Sequence, residues 1–156
     1  MILAAVLLAL QPVATPAGEE PVDPYTVSNA NAGAKPANDP RLLAAWNGRA
    51  GINRVVDRFV DRNFADPRIS DIFKNHDQVR LRRTLKEQFC FLLGGECDYT
   101  GRDMRSSHKD LGIQNADMNA LVENLQTVMG EEKIPFWAQN RLLAKLAPMR
   151  RHVVER

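Results

Sequence analysis

The chain has 156 residues, 44% of them apolar and 26% charged, ordinary values for one globular domain with a core of its own. Its 21 basic residues face 19 acidic ones, for a net charge of +2. That balance excludes the concentrated basic surface of a nucleic-acid-binding protein. Two cysteines exclude a disulfide-rich mini-protein or a four-thiolate zinc site, and three histidines leave room only for a sparse metal site.

The chain divides near residue 40. Before it, Glu19, Glu20, Asp23 and Asp39 face Lys35 alone, a local charge of −3 that leaves +5 for the rest. Six of the nine prolines also lie there. The first ten residues, MILAAVLLAL, are continuously apolar, too short to span a bilayer and about as long as the apolar stretch of a signal peptide. Small residues follow at Ala14-Thr15-Pro16-Ala17, where cleavage would fall. Against a signal stand the missing Lys or Arg after Met1 and the Pro16 just before the cut. The expectation is therefore a signal peptide or apolar segment over 1–17, with export to the periplasm. A retained membrane tether and a cytoplasmic protein whose N-terminal helix packs on the domain or a partner are the alternatives. Residues 18–38, rich in Pro, Ala, Asn and Gly, read as a flexible linker.

From residue 39 the pattern is helical throughout. Asp39-Pro40 is a helix start, with Asp as cap and Pro at the first helical position, and Arg41–Trp46 forms a short helix ended by Asn47-Gly48. Ile52, Val55, Val56, Phe59, Val60 and Phe64 recur every three or four residues and define one apolar stripe. Asp66-Pro67 opens a short turn carrying Ile69, Ile72 and Phe73. Asp77 caps a helix that turns Val79, Leu81, Leu85, Phe89 and Leu92 inward, and Gly94-Gly95 ends it. Tyr99–Asp110 is polar with a weak helical period. Asn115 caps a helix carrying Met118, Leu121, Val122, Leu125 and Val128, which Gly130 closes. Pro135 opens the last helix, with Trp137, Leu142, Leu143, Leu146, Met149 and Val153 inward and a kink at Pro148. No stretch alternates with period two for long enough to make a strand, so residues 39–156 read as one all-α domain.

Chemistry is sparse. There is no nucleophile motif, phosphate loop or paired-His metal motif, and Ser106-Ser107-His108 is a run of neighbours rather than a triad. Glu131-Glu132 reads as a solvated helix end. His76 lies between helices and His152 near the C-terminus, both as surface residues. His108 stands out by the company it keeps.

Val55-Val56-Asp57-Arg58-Phe59 followed by Ala65-Asp66-Pro67-Arg68-Ile69 resembles the second helix of the group I truncated haemoglobins. Phe89 to Gly101, with its Gly94-Gly95 turn and Tyr99-Thr100-Gly101, resembles the end of their distal helix. Arg102 to Ile113, with Met104, His108 and Leu111-Gly112-Ile113, resembles the segment that carries their haem-binding histidine. The resemblance runs from about residue 43 to 154. It implies a truncated two-over-two globin fold, here behind a disordered N-terminal leader and linker, and a non-covalent haem b. Carried over by position, His108 would be the metal ligand, binding iron through a ring nitrogen. Phe73 would wedge the haem, and Phe89, Met104, Ile113, Met118, Leu121, Val122 and Leu125 would line it, although each apolar residue also fits as plain core. Arg80, Arg102 and Arg105 are candidates for the propionates, with Tyr99 as a hydrogen-bond donor. Some relatives attach haem covalently through a histidine of the last helix. His152 is displaced by about two positions from that site.

The distal side departs from the family. Where group I members often carry Tyr and Gln, this chain has Val60 and Leu85, with Leu81 on the same face, so no donor faces iron-bound oxygen there. A donor to a charged acceptor contributes about 1.5–3 kcal/mol, so the resemblance together with this departure implies modest oxygen affinity and ready oxidation to ferric iron. Gln88, one turn on, either reaches in or faces solvent. Cys90 and Cys97 either pair across the Gly-Gly turn in an oxidising compartment or remain a buried residue and a free thiol. The expected function is a haem b protein binding diatomic gases (oxygen, carbon monoxide or nitric oxide) at iron, served by an unidentified reductase, as a monomer or weak dimer. Nitric-oxide dioxygenation or other haem redox turnover is secondary to ligand binding. The alternatives are a haem-based redox sensor, an electron-transfer protein, and a haem-free helical interaction module.

Overall fold

The computed structural model describes residues 16–23 and 25–155, and among them every regular element is helical. Of residues 1–17, expected to form the leader, 1–15 lie outside the described residues. No helix among the described residues is long and apolar enough to cross a membrane.

The helices are α1 (Pro40–Ala45), α2 (Gly48–Ala65), α3 (Ser70–Phe73), α4 (Gln78–Leu92), α5 (Met104–His108), α6 (Asn115–Glu131), α7 (Phe136–Leu146) and α8 (Arg150–Val153). Short 3-10 turns occupy Asn29–Ala32 and Ala147–Met149. α2 packs against α4 on one side and α6 on another, while α7 meets α1, α4 and α6.

Local chemistry explains the starts and stops. Asp39 accepts from the Arg41 backbone N–H with Pro40 at the first helical position, and Asp77 accepts from the N–H groups of Val79 and Arg80 at the head of α4. Each cap satisfies donors that a helix start leaves unpaired. α6 is capped one residue earlier than expected: Gln114 and Asp117 bond reciprocally to each other's backbone, and the helix runs through Gly130 to Glu131. Pro148 breaks the last helix as its ring and missing N–H require, so that α7 passes through a 3-10 turn into α8.

Of the stripe on α2, Ile52, Val55, Val56, Phe59 and Val60 are buried and Phe64 is partly buried, while the polar Asn63 is buried beside them. Trp46 is fully covered, meets Phe89 edge-on with ring centroids 6.4 Å apart, and donates from Nε1 to the Ala138 carbonyl at 3.4 Å. Two residues expected inward are not: Val79 is 41% exposed and Trp137 46%. Both sit in the first turn of a helix, where the helical period alone does not show that no neighbour covers them. Glu131 and Glu132 are ion-paired with Arg58, while Glu132 also takes Arg54 and Glu131 also takes Arg62. These are solvent-screened surface pairs that add little to stability.

The stretch expected as a linker lies along the domain instead. Ser28 donates its N–H to the Tyr99 carbonyl at 2.7 Å, Tyr99 returns its own N–H to the Asn29 side chain at 2.7 Å, and Ala37 donates to the Leu92 carbonyl at 2.9 Å. Asp23 binds Arg80 and Arg102, Glu19 binds Arg83, and Ala32 is fully buried. Its few apolar residues hid this attachment, which is made mostly by backbone groups and charges. Gly94 makes room for it: the backbone there has φ +83°, and a Cβ would sit 2.5 Å from the Ala37 carbonyl oxygen. Cys90 and Cys97 form a disulfide across the same turn, with Cα atoms 5.8 Å apart.

Candidate functional site

α5 is a five-residue helix, and His108 is its last residue. The Asp103 carboxylate accepts from Ser106 N–H at 3.0 Å and Ser106 Oγ–H at 2.7 Å, fixing the start of the turn. After His108 the chain leaves through Lys109 in extended conformation and through Asp110 and Gly112, both with positive φ. One turn back along the helix, the Met104 carbonyl lies 2.7 Å from His108 Nδ1. A carbonyl only accepts, so Nδ1 carries the proton. Burial of the ring lowers the His108 pKa, the Met104 bond opposes that shift, and the charge of His76 adds to it. The imidazole is thereby held neutral with a lone pair on Nε2, the form that binds a metal, and the backbone carbonyl sets the ring as such carbonyls commonly set metal-ligating histidines.

His108 stands in the wall of an apolar cavity of about 480 Å³, within the roughly 300–1,000 Å³ typical of cofactor and small-molecule sites. Of the residues expected at the site, Phe73, Leu81, Leu85, Phe89, Tyr99, Met104, Ile113, Met118, Leu121, Val122 and Leu125 line the same cavity. Val60 does not. It is wholly buried in the core, and Phe59 beside it takes the place on the wall. Neighbours on a helix point about 100° apart, so a matched position names the turn without fixing which side chain reaches the cavity.

The polar lining is mostly engaged. Thr84 Oγ bonds back to the Arg80 and Leu81 carbonyls at 3.0 and 3.2 Å. Gln88 is buried, not solvent-facing, and its amide donates to the Ala32 carbonyl at 2.9 Å. The Tyr99 hydroxyl donates to the Arg102 carbonyl at 2.8 Å, and burial pushes its pKa up to about 12. The three arginines read as anion partners for the site lie off the cavity wall: Arg80 and Arg102 hold Asp23, and Arg105 contacts His152. Arg150 lines the cavity instead, with its guanidinium bonded to Asn115 and Asn119. Leu143, Leu146, Met149 and Val153 complete the wall from the last helices. From the sequence these four read only as inward residues. Arg150 does not stand out there, for a solvated arginine carries no signal that separates it from its neighbours.

An all-helical fold that closes over a histidine-bearing apolar cavity defines the architecture of the smaller globins. The chain belongs to the bacterial-like globin family, whose model matches residues 44–155. Among curated proteins it is 36% identical over 95 residues to a group 1 truncated haemoglobin of Chlamydomonas moewusii, covering 58% of this chain and 54% of that one. It is 29% identical over 92 residues to a group 1 truncated haemoglobin of Tetrahymena thermophila, covering 59% of this chain and 76% of the relative. Among solved structures, the Fe(III) form of a truncated haemoglobin from Tetrahymena pyriformis superposes with a TM-score of 0.70 at 24% identity, over 74% of this chain and 98% of that one. The 2/2 haemoglobin of Synechococcus sp. PCC 7002, a cyanomet form with covalently attached haem, gives 0.68 at 25% identity, again over 74% and 98%.

Proposed function

We propose that the protein binds haem b non-covalently, with His108 Nε2 as the residue that would hold the iron, and that it takes up oxygen, carbon monoxide or nitric oxide there. The observation that carries this reading is the neutral His108 imidazole, tied through Nδ1–H to the Met104 carbonyl and set in the wall of an apolar cavity of about 480 Å³. Family membership supports it. The residues present fit the group: an imidazole nitrogen for iron, leucine, phenylalanine and methionine for a porphyrin face, and Arg150 at the wall for a propionate carboxylate. Haem iron, when bound, supplies the reversible gas ligation and electron transfer that no side chain here offers.

The chain's own residues set the rest. Met104 holds the tautomer. Leu81 and Leu85 exclude water and offer no hydrogen bond; Thr84 bonds to its own helix, and Gln88 turns its amide N–H groups to the Ala32 carbonyl and the Met104 and Met149 sulfurs. Oxygen binding that depends on a donor is therefore weak, and carbon monoxide, which is less polar, suffers less. His152, the candidate for a covalent link, is not part of this cavity's lining and contacts Arg105. Export ahead of residue 18, with a periplasmic site of action, belongs to the same proposal, and the Cys90–Cys97 pairing is compatible with it.

The test is the visible spectrum of the full chain with added haem, ferric and then reduced under carbon monoxide, beside His108→Ala. A Soret band that moves with carbon monoxide to the histidine-ligated position, and is lost in the variant, is the expected result. A band indifferent to His108→Ala removes His108 as the iron ligand, and the absence of any band leaves a haem-free helical interaction module as the reading.

A further inference from the structure

Behind Met104 and Met149, which also wall the large cavity, lies a second cavity of about 250 Å³. Its lining brings Arg105 of α5 together with Arg151 and His152 of α8. The His152 ring is held between two guanidiniums, with Arg105 Nη2 3.1 Å from Nδ1 and Arg151 Nε 3.2 Å from Nε2. Guanidinium nitrogens only donate, and a neutral imidazole has a single lone pair. In either tautomer one of the two contacts therefore sets N–H against N–H, and a protonated ring sets both and adds a third positive charge. Among the described residues neither Arg105 nor Arg151 has a carboxylate partner, whereas Arg80, Arg83 and Arg102 each do. The acid in this pocket, Asp103, spends its oxygens on Ser106 at the head of α5. Three donor groups thus converge on a pocket whose one carboxylate, Asp103, pairs with none of their side chains.

We propose that this pocket is an anion site for a phosphate group carried by a small molecule, seated between Arg105, Arg151 and His152. A tetrahedral oxyanion presents several acceptor oxygens, so it takes hydrogen bonds from both guanidinium forks and from the imidazole N–H at once and relieves the opposed donors. A carboxylate carries one negative charge in a single plane, whereas a phosphate group carries about 1.5 to 2 with three acceptor oxygens. The cavity is several times the ~30 Å³ of a water molecule, which leaves space for the organic part beyond the phosphate. The site is separate from the one proposed for haem and does not depend on it.

The experiment is a titration of the full chain with inorganic phosphate at constant ionic strength, read by the ring nitrogen signals of His152 and by the thermal midpoint. A saturable response that chloride does not produce is expected, with acetate binding more weakly. Arg105→Gln and Arg151→Gln each weaken phosphate by about tenfold or more. Arg49→Gln, exposed and outside the pocket, leaves binding unchanged. Circular dichroism verifies that the surface variants keep the fold. A non-saturating response equal to that of chloride, or unaltered affinity in both pocket variants, overturns the site. Tighter binding of acetate overturns the assignment to phosphate.

Discussion

At two places on α4 where a hydrogen-bond donor would face an iron-bound gas, the chain has Leu81 and Leu85, and both line the cavity. The polar neighbours do not compensate, for Thr84 is bonded to its own helix and the Gln88 amide turns its N–H groups to the Ala32 carbonyl and the Met104 and Met149 sulfurs. Ligand stabilisation is then a matter of one missing group. Leu85→Gln supplies it and is expected to slow oxygen dissociation by about 10- to 150-fold, the equivalent of one hydrogen bond to a charged acceptor, while carbon monoxide dissociation changes far less. Stopped-flow displacement of oxygen measures this, and an unchanged rate would place the ligand away from α4. That His108, Leu81 and Leu85 share one cavity was legible because the flanking motifs fix the register of α4 and α5. The fate of Gln88 was not: its partner Ala32 lies 56 residues away, in a stretch with no helical period to announce that it is packed.

Among the elements, the segment before α1 is the one that composition misread. Proline and small residues signalled a linker, yet its contacts are backbone hydrogen bonds and ion pairs, which leave no apolar pattern to find. Arg80 and Arg102 hold the Asp23 carboxylate, and the Arg102 hydrogen bond leads the causes that bring its pKa down to about 2 from an ordinary 3.8. A carboxyl depressed by folding stabilises the protein above the unfolded pKa, and the contribution is lost as pH falls through the folded one. Wild type is therefore expected to be more stable than Asp23→Asn at pH 7, with the difference shrinking between pH 4 and pH 2. Urea unfolding at those pH values checks it, and a pH-independent difference would mean that Asp23 acts by packing. The Cys90–Cys97 bridge closes a loop with a sequence separation of 7 at the other end of α4. A loop that short constrains the unfolded chain by ~2–3 kcal/mol, so reduction is expected to lower unfolding free energy by about that amount. Unfolding with and without a reductant measures it.

For the whole molecule, the division of the interior decides what happens when the cavity is empty or filled. Trp46, Val55, Val56, Leu92, Ala138 and Leu142 are fully buried against one another through α1, α2, α4 and α7, and none of them lines the cavity. That part of the core does not need a cofactor to exclude water. The helical periods made it legible, but they could not separate it from the cavity wall, because burial against a porphyrin and burial against protein select the same residues. The physical separation yields a prediction. The haem-free chain keeps its helical circular dichroism and unfolds cooperatively, while haem binds only the folded state and stabilises it by mass action. At a free concentration a hundred times the dissociation constant the gain is ~2.7 kcal/mol, which raises the thermal midpoint by roughly 5–11 °C for a chain of this size. The rise should saturate with haem and shrink in His108→Ala, whose cavity keeps its apolar walls but loses the iron ligand. A chain that is molten without haem would show that the cavity walls and the Trp46 core form one cooperative unit. A midpoint indifferent to haem would leave the cavity to a different occupant.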